Sequence, residues 1–217
     1  MRCEVIQCGP AGAALTRIVL LPGAYHALAE FVHAGFERAL RARQMAAELI
    51  LAAPELAHLN DRGWLARLQS EVLAPARARG GDLWLGGVSL GGYMALRFAA
   101  EYEHAIDGLC LLAPYLGSRL IAAEVAAQPN LASWQPGALA DDDDDRRIWR
   151  LVQRLPALGR APRIFLGFGS EDRFADTQRL LAGVLPAAST HVIPGGHDWP
   201  VWRALWEQFL ELAGARA

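Results

Sequence analysis

Apolar and polar positions along the chain change period several times, and each change marks the passage from one kind of element to another. Residues 2–8 (RCEVIQC) and 15–21 (LTRIVLL) predict strands, with GPAGAA as the turn between them. LPGAYHALAEF then leads into a predicted helix over 28–44, broken at Gly35, and ELILAAP (48–54) is a strand stopped by Pro54. A helix over 61–79 ends at Gly80 and Gly81, before DLWLGGV (82–88), whose almost wholly apolar run is that of a strand buried on both faces. Leu90, Met94, Phe98 and Tyr102 recur every four positions and predict a helix over 90–102. Strands at 106–114, 163–169 and 189–195 alternate with helices at 174–185 and 200–213. Strict alternation of this kind predicts a mainly parallel α/β sheet with helices on both faces. Residues 115–160 interrupt it, and are expected to form a lid-like helical insertion above the strand ends within one domain spanning 1–217.

Chemistry enters at Gly87-Val88-Ser89-Leu90-Gly91, a G-x-S-x-G match lying directly between a predicted strand and a predicted helix. A sharp strand-to-helix turn strains the serine backbone and pushes its hydroxyl clear of the sheet, and small neighbours let the chain close up. The Leu90 amide, at the helix start, is then available to an oxyanion. The competing reading of these five residues is an ordinary Gly/Ser turn.

A serine hydroxyl needs a positioned base. Of the six histidines, His33 falls in a helix, His191 in a strand, and His58 and His104 in loops without a motif. His197, in IPGGHDWP, follows a strand and two glycines and is the candidate base. A carboxylate must hold the imidazole tautomer. In GFGSEDRF it is Asp172, at the exposed end of the strand, with Glu171 in reserve; Asp176 belongs to the next helix, and Asp198 adjoins His197 too closely to reach its ring. For the second oxyanion donor, LLPGAYH offers the amide of Ala24 beside the permissive Gly23, with Tyr25 second, although PGAY also reads as a plain turn. Tyr25, Tyr115 and Trp199 are the candidate pocket residues.

Composition narrows the field. The net charge is −2 with no basic stripe, which disfavours nucleic acid or an anionic membrane surface as partner. All 21 basic residues are Arg, so a P-loop lysine, a PLP Schiff base and a Ser–Lys dyad are excluded. Cys3, Cys8 and Cys110 have no framework or zinc spacing. The five-aspartate run at 141–145 reads as a solvated loop favouring the next helix N-terminus, because consecutive carboxylates cannot converge on one metal. No cofactor and no metal are expected. Without a signal-like N-terminus or a ~20-residue apolar span, a cytoplasmic protein is expected.

With these residues in view, the chain resembles the α/β-hydrolase superfamily over nearly its whole length. GVSLGGYMAL resembles the nucleophile elbow of serine esterases, GSEDRF their acid loop, and PGGHDWPVW the histidine segment of esterase D and enterochelin-esterase type families. The resemblance implies Ser89 as nucleophile, Asp172 as acid and His197 as base, acting on a small-molecule ester or thioester. Pro22-Gly23 stands where an HG pair is common in the oxyanion loop. An acyltransferase or perhydrolase would use the same triad, and a non-catalytic binding module would share only the fold.

Overall fold

The computed structural model describes residues 1–9, 16–54, 63–140, 142–158 and 161–214. Their strands form one seven-stranded sheet in the order β1-β3-β2-β4-β5-β6-β7. The strands are β1 (Arg2–Cys8), β2 (Thr16–Leu21), β3 (Ala47–Ala53), β4 (Asp82–Val88), β5 (Gly108–Leu112), β6 (Arg163–Gly169) and β7 (Thr190–Ile193). All neighbours run parallel except β1, which is antiparallel to β3. The expected GPAGAA turn lies mostly outside the described residues, and β1 does not pair with β2. Its exposed, polar sequence suits an edge, whereas β2 and β3 are buried along their whole length.

Helices cover both faces, and side-chain alternation on the strands shows which helix covers which. Trp84 of β4 and Phe165 of β6 both meet Phe209 of α9 (Trp199–Gly214), with ring centroids 5.0 and 5.5 Å away. Gly87, an odd-numbered neighbour of Trp84, faces the opposite side, where a Cβ would lie 2.9 Å from the Gly91 carbonyl carbon of α5 (Leu90–Glu101). On the α9 face, α1 (Leu28–His33) and α2 (Phe36–Ala42) are separated at Gly35, which takes φ 85. Trp206 of α9 stacks on Phe36 and donates its Nε1–H to the Phe36 carbonyl at 3.0 Å.

The expected helix over 61–79 is a composite of α3 (Gly63–Arg67), a π-helical stretch at Leu68–Leu73 and α4 (Ala74–Ala78); positions 61 and 62 lie outside the described residues. Residues 115–158 are mainly helical, with α6 (Arg119–Ala126) and α7 (Asp144–Arg154). Yet α7 lies alongside α5 and not across the strand ends. Asp144 receives a 2.5 Å bond from Arg97 Nε, Asp145 receives one of 2.9 Å from the Tyr93 hydroxyl, and Arg154 at the far end pairs with Glu103. The buried Ile148, Trp149, Leu151 and Val152 explain this position, since the amphipathic face needs a helix to bury against. The aspartate run is thus less solvated than its sequence suggests. Asp143 caps α7 by accepting from the Arg146 amide at 3.1 Å, and Asp141 lies outside the described residues. Between β6 and β7, α8 (Ala175–Ala182) packs near β6.

Candidate active site

The order of the strands reverses direction between β2 and β4, and a crevice opens at the C-terminal ends of parallel strands at such a point. Ser89 follows β4 directly and Pro22-Gly23 follows β2, so the two sides of the crevice carry the candidate nucleophile and the candidate oxyanion loop. Ser89 adopts φ 52 and ψ −114, a conformation that costs a side chain about 1–3 kcal/mol. Its backbone is held by three elements: its N–H donates to the Leu112 carbonyl of β5 at 3.0 Å, and its carbonyl accepts from the amides of Gly92 and Tyr115, each at 3.0 Å. Among the described residues, four non-glycine positions take positive φ, and three of them, Tyr25 (64), Ser89 and Ala113 (48), lie at the strand ends around this crevice. Strain collected in one place is the mark of a site held rigid by its surroundings.

Ser89, His197 and Asp172 come together in a single relay. His197 Nδ1–H donates to Asp172 Oδ2 at 2.7 Å, which leaves Nε2 with its lone pair to accept from Ser89 Oγ–H at 2.9 Å. The Asp172 side chain is completely buried and its second oxygen accepts the Phe174 amide at 2.8 Å, so both carboxylate oxygens are occupied. Glu171, held in reserve from the sequence, is exposed on the same turn; Asp176 sits on the first turn of α8 and pairs with Arg179. Asp198 accepts from the Val201 amide and starts α9. His33 and His104 are exposed, His191 stacks on Phe165, and His58 lies outside the described residues.

Small residues let the candidate oxyanion loop approach. A Cβ on Gly91 would lie 2.0 Å from the Leu21 carbonyl oxygen, and one on Gly23 would lie 3.4 Å from Ser89 Cβ. Leu90 is the first residue of α5, where backbone N–H groups have no partner within the helix. Ala24 follows Gly23 on the exposed rim, beside Tyr25, which is fully exposed. Tyr115 joins an aromatic row: its ring centroid is 5.5 Å from Tyr93 and 5.4 Å from Phe174, which in turn meets His197 edge-on at 5.1 Å. Desolvation, with the nearby Asp145 carboxylate, raises the Tyr115 hydroxyl above its ordinary pKa. Trp199 is packed under the loop, with His26, Phe31, Phe36 and Trp202 around it at 5.0–6.0 Å.

Sequence reasoning did not single out Phe174, Trp202, His26 or Glu30. Trp202 lies edge-on to both His197 and His26, at 5.1 and 5.6 Å, and joins the two histidines. His26 and Glu30 are four apart, with Glu30 in the first turn of α1, and that spacing was the available signal. An apolar cavity of about 440 Å³ lies at the other end of the sheet, between the start of β6 and Leu212 of α9, away from the relay.

Residues 67–211, more than half of the chain, match the family model described as putative esterase. An acetyl esterase of Caldicellulosiruptor saccharolyticus is 30% identical over 135 residues, which cover 55% of this chain and 49% of that protein. The chain therefore spans about half the length of the curated relative it matches. Among solved structures, an S-formylglutathione hydrolase of Staphylococcus aureus superposes with a TM-score of 0.69 at 12% identity, covering 97% of this chain and 91% of that one. An α/β-hydrolase from a metagenome of Mar Chica lagoon sediments gives 0.61 at 17% identity, covering 100% and 94%. These likenesses establish the α/β-hydrolase fold expected from the sequence.

Proposed function

Starting from the fact that this chain belongs to the putative esterase family, we propose that it hydrolyses a small carboxylic ester or thioester through an acyl-enzyme on Ser89. The observation that carries the reading is the continuous relay from Ser89 Oγ through His197 to the buried Asp172, at 2.9 and 2.7 Å. Ser89 Oγ attacks the carbonyl carbon as His197 Nε2 takes its proton, and Asp172 stabilises the imidazolium that results. The carbonyl oxygen becomes an oxyanion, which the amides of Leu90 and Ala24 receive. Collapse breaks the bond to the alcohol or thiol, which leaves with the proton from His197 Nε2. Water then attacks the acyl-serine, giving its proton to His197; the second collapse returns that proton to Ser89 Oγ and releases the acid.

Tyr25 and Tyr115 flank the reacting carbonyl in this reading. A short acyl group is the proposed substrate, in keeping with the activity named for the acetyl esterase relative. The direct test is covalent labelling by a fluorophosphonate together with turnover of p-nitrophenyl esters and acyl-CoA thioesters of increasing chain length. Labelling lost in Ser89→Ala supports the reading. Binding of esters without label or turnover in folded wild-type protein would mean that the fold serves as a binding module.

A further inference from the structure

Glu30 stands outside the relay, yet donors from two separate segments converge on its carboxylate. The Ala27 amide reaches Oε1 at 2.7 Å; His26 Nδ1–H and Trp199 Nε1–H reach Oε2 at 2.8 and 3.3 Å. His26 and Ala27 close the loop that begins at Gly23, and the His26 amide itself donates back to the Gly23 carbonyl at 3.2 Å. Trp199 opens α9, two positions after His197. The Cα of Gly23 lies between His26 and the nucleophile turn: a Cβ there would be 3.0 Å from His26 Cδ2 and 3.4 Å from Ser89 Cβ.

We propose that Glu30 is a positioning residue that ties the Gly23–Ala27 loop to the His197 end of α9, and thereby fixes the oxyanion-binding amide of Ala24. The inference rests on the acyl-enzyme reading above and adds to it the part that holds the loop. Two donors converge on one oxygen while a third takes the other, and a neutral amide, with a single acceptor oxygen, cannot reproduce that pattern. The same convergence holds the Glu30 carboxyl below the usual carboxylate range, through the Ala27 amide first and then His26. A surface carboxylate of this kind adds little to stability, but a loop misplaced by about 1 Å can lower turnover about 100-fold.

Three variants and three readouts separate this role from that of a simple helix cap. With p-nitrophenyl acetate as substrate, Glu30→Ala is expected to lower kcat and the rate of fluorophosphonate labelling together by about 10- to 100-fold, with KM within about 2-fold of wild type. Glu30→Gln, which keeps one acceptor, should recover part of the loss. Trp199→Phe, which removes the donor from α9 and keeps an aromatic ring in its place, should show a smaller drop in the same two parameters. Thermal unfolding of each variant is the third readout, and Trp199→Phe keeps the test open should Glu30→Ala unfold. Wild-type kcat in Glu30→Ala with a lowered melting temperature would make Glu30 a cap and overturn the proposal, as would a change confined to KM. Wild-type protein that takes no label would overturn the reading of Ser89 and the role of Glu30 with it; labelled wild type beside an unaffected Glu30→Ala overturns only the latter.

Discussion

Gly91→Ala tests whether the proposed oxyanion loop depends on one bare Cα. The added methyl would lie 2.0 Å from the Leu21 carbonyl oxygen, 2.6 Å from its carbon and 2.9 Å from the Pro22 oxygen, and all three are backbone atoms that cannot swing aside. Ordinary contact lies at 3.4–4 Å, so one partner must withdraw by more than an ångström. Bonds to β3 and β4 hold β2 on both sides, and the displacement therefore falls on Pro22–Tyr25 or on the start of α5, which carries Ser89 with it. Either movement separates the Ser89 hydroxyl from the amide of Ala24, the proposed second oxyanion donor. A misplacement of about 1 Å lowers kcat about 100-fold, equivalent to about 2.7 kcal/mol in the barrier. Overpacking adds a further ~1–3 kcal/mol of lost stability. The assay is kcat and KM on p-nitrophenyl acetate beside urea unfolding, with Gly183→Ala as control. At Gly183 the nearest atoms to a Cβ are 3.4 and 3.6 Å away and φ is −63, so alanine should be neutral or stabilise by about 0.4–1 kcal/mol. A Gly91→Ala protein with wild-type kcat and unfolding midpoint would refute the reasoning.

Further outcomes are open to measurement. Asp172→Asn should keep the fold but leave His197 in the wrong tautomer, cutting ester turnover by about 10⁴-fold; a loss below tenfold would remove Asp172 from the relay. Trp149→Phe deletes the 3.1 Å bond from its indole to the buried Leu116 carbonyl, and should cost about 1–3 kcal/mol in chemical denaturation while kcat holds steady. Arg146, the main cause, lowers the Glu124 carboxyl below its ordinary range, so the pair stabilises the fold above the unfolded-state pKa and fades as pH falls through the lowered folded value. Glu124 is a third exposed, which limits the effect to under about 1 kcal/mol: the melting-temperature gap between wild type and Glu124→Gln should be small at neutral pH and close in acid, and a gap independent of pH would contradict this. Thiol titration of the native protein should count one slow cysteine, the exposed Cys3, whose pKa is raised mainly by partial desolvation of the thiol; Cys8 and Cys110 should react only after denaturation.

Strands β4 and β6 end where the sequence places them, because strands covered on both faces are unbroken apolar runs between turn residues. The strand over 106–114 is shorter, Gly108–Leu112, since Ala113 turns to φ 48, even though its amide still makes the last bond to β6, at the Gly167 carbonyl, 2.7 Å away. Strand order was not legible: nothing in RCEVIQC distinguishes β3 from β2 as its partner. Nor was the π-helical stretch at Leu68–Leu73, whose apolar spacing also fits an α-helix. Ser89, Asp172 and His197 stood out because glycines accompany the turns that carry them. Glu30 did not, because an acidic residue in a first helical turn is ordinary, its four-residue spacing from His26 is a weak signal, and its bond to Trp199 joins residues 169 positions apart.

Helix α7 has a consequence for how the protein fails. Arg97 of α5 is almost fully buried, with its charge met by Asp144 of α7 and by Glu101. If α7 peels away as a cooperative unit, that cation loses both a partner and the helix packed beside it, and α5 is left with one side open to water. The helix whose tip carries Ser89 would loosen while the sheet beneath still stands. Heat should therefore silence the proposed ester hydrolysis a few degrees before the sheet melts, and amide exchange should quicken in α7 and α5 ahead of β4.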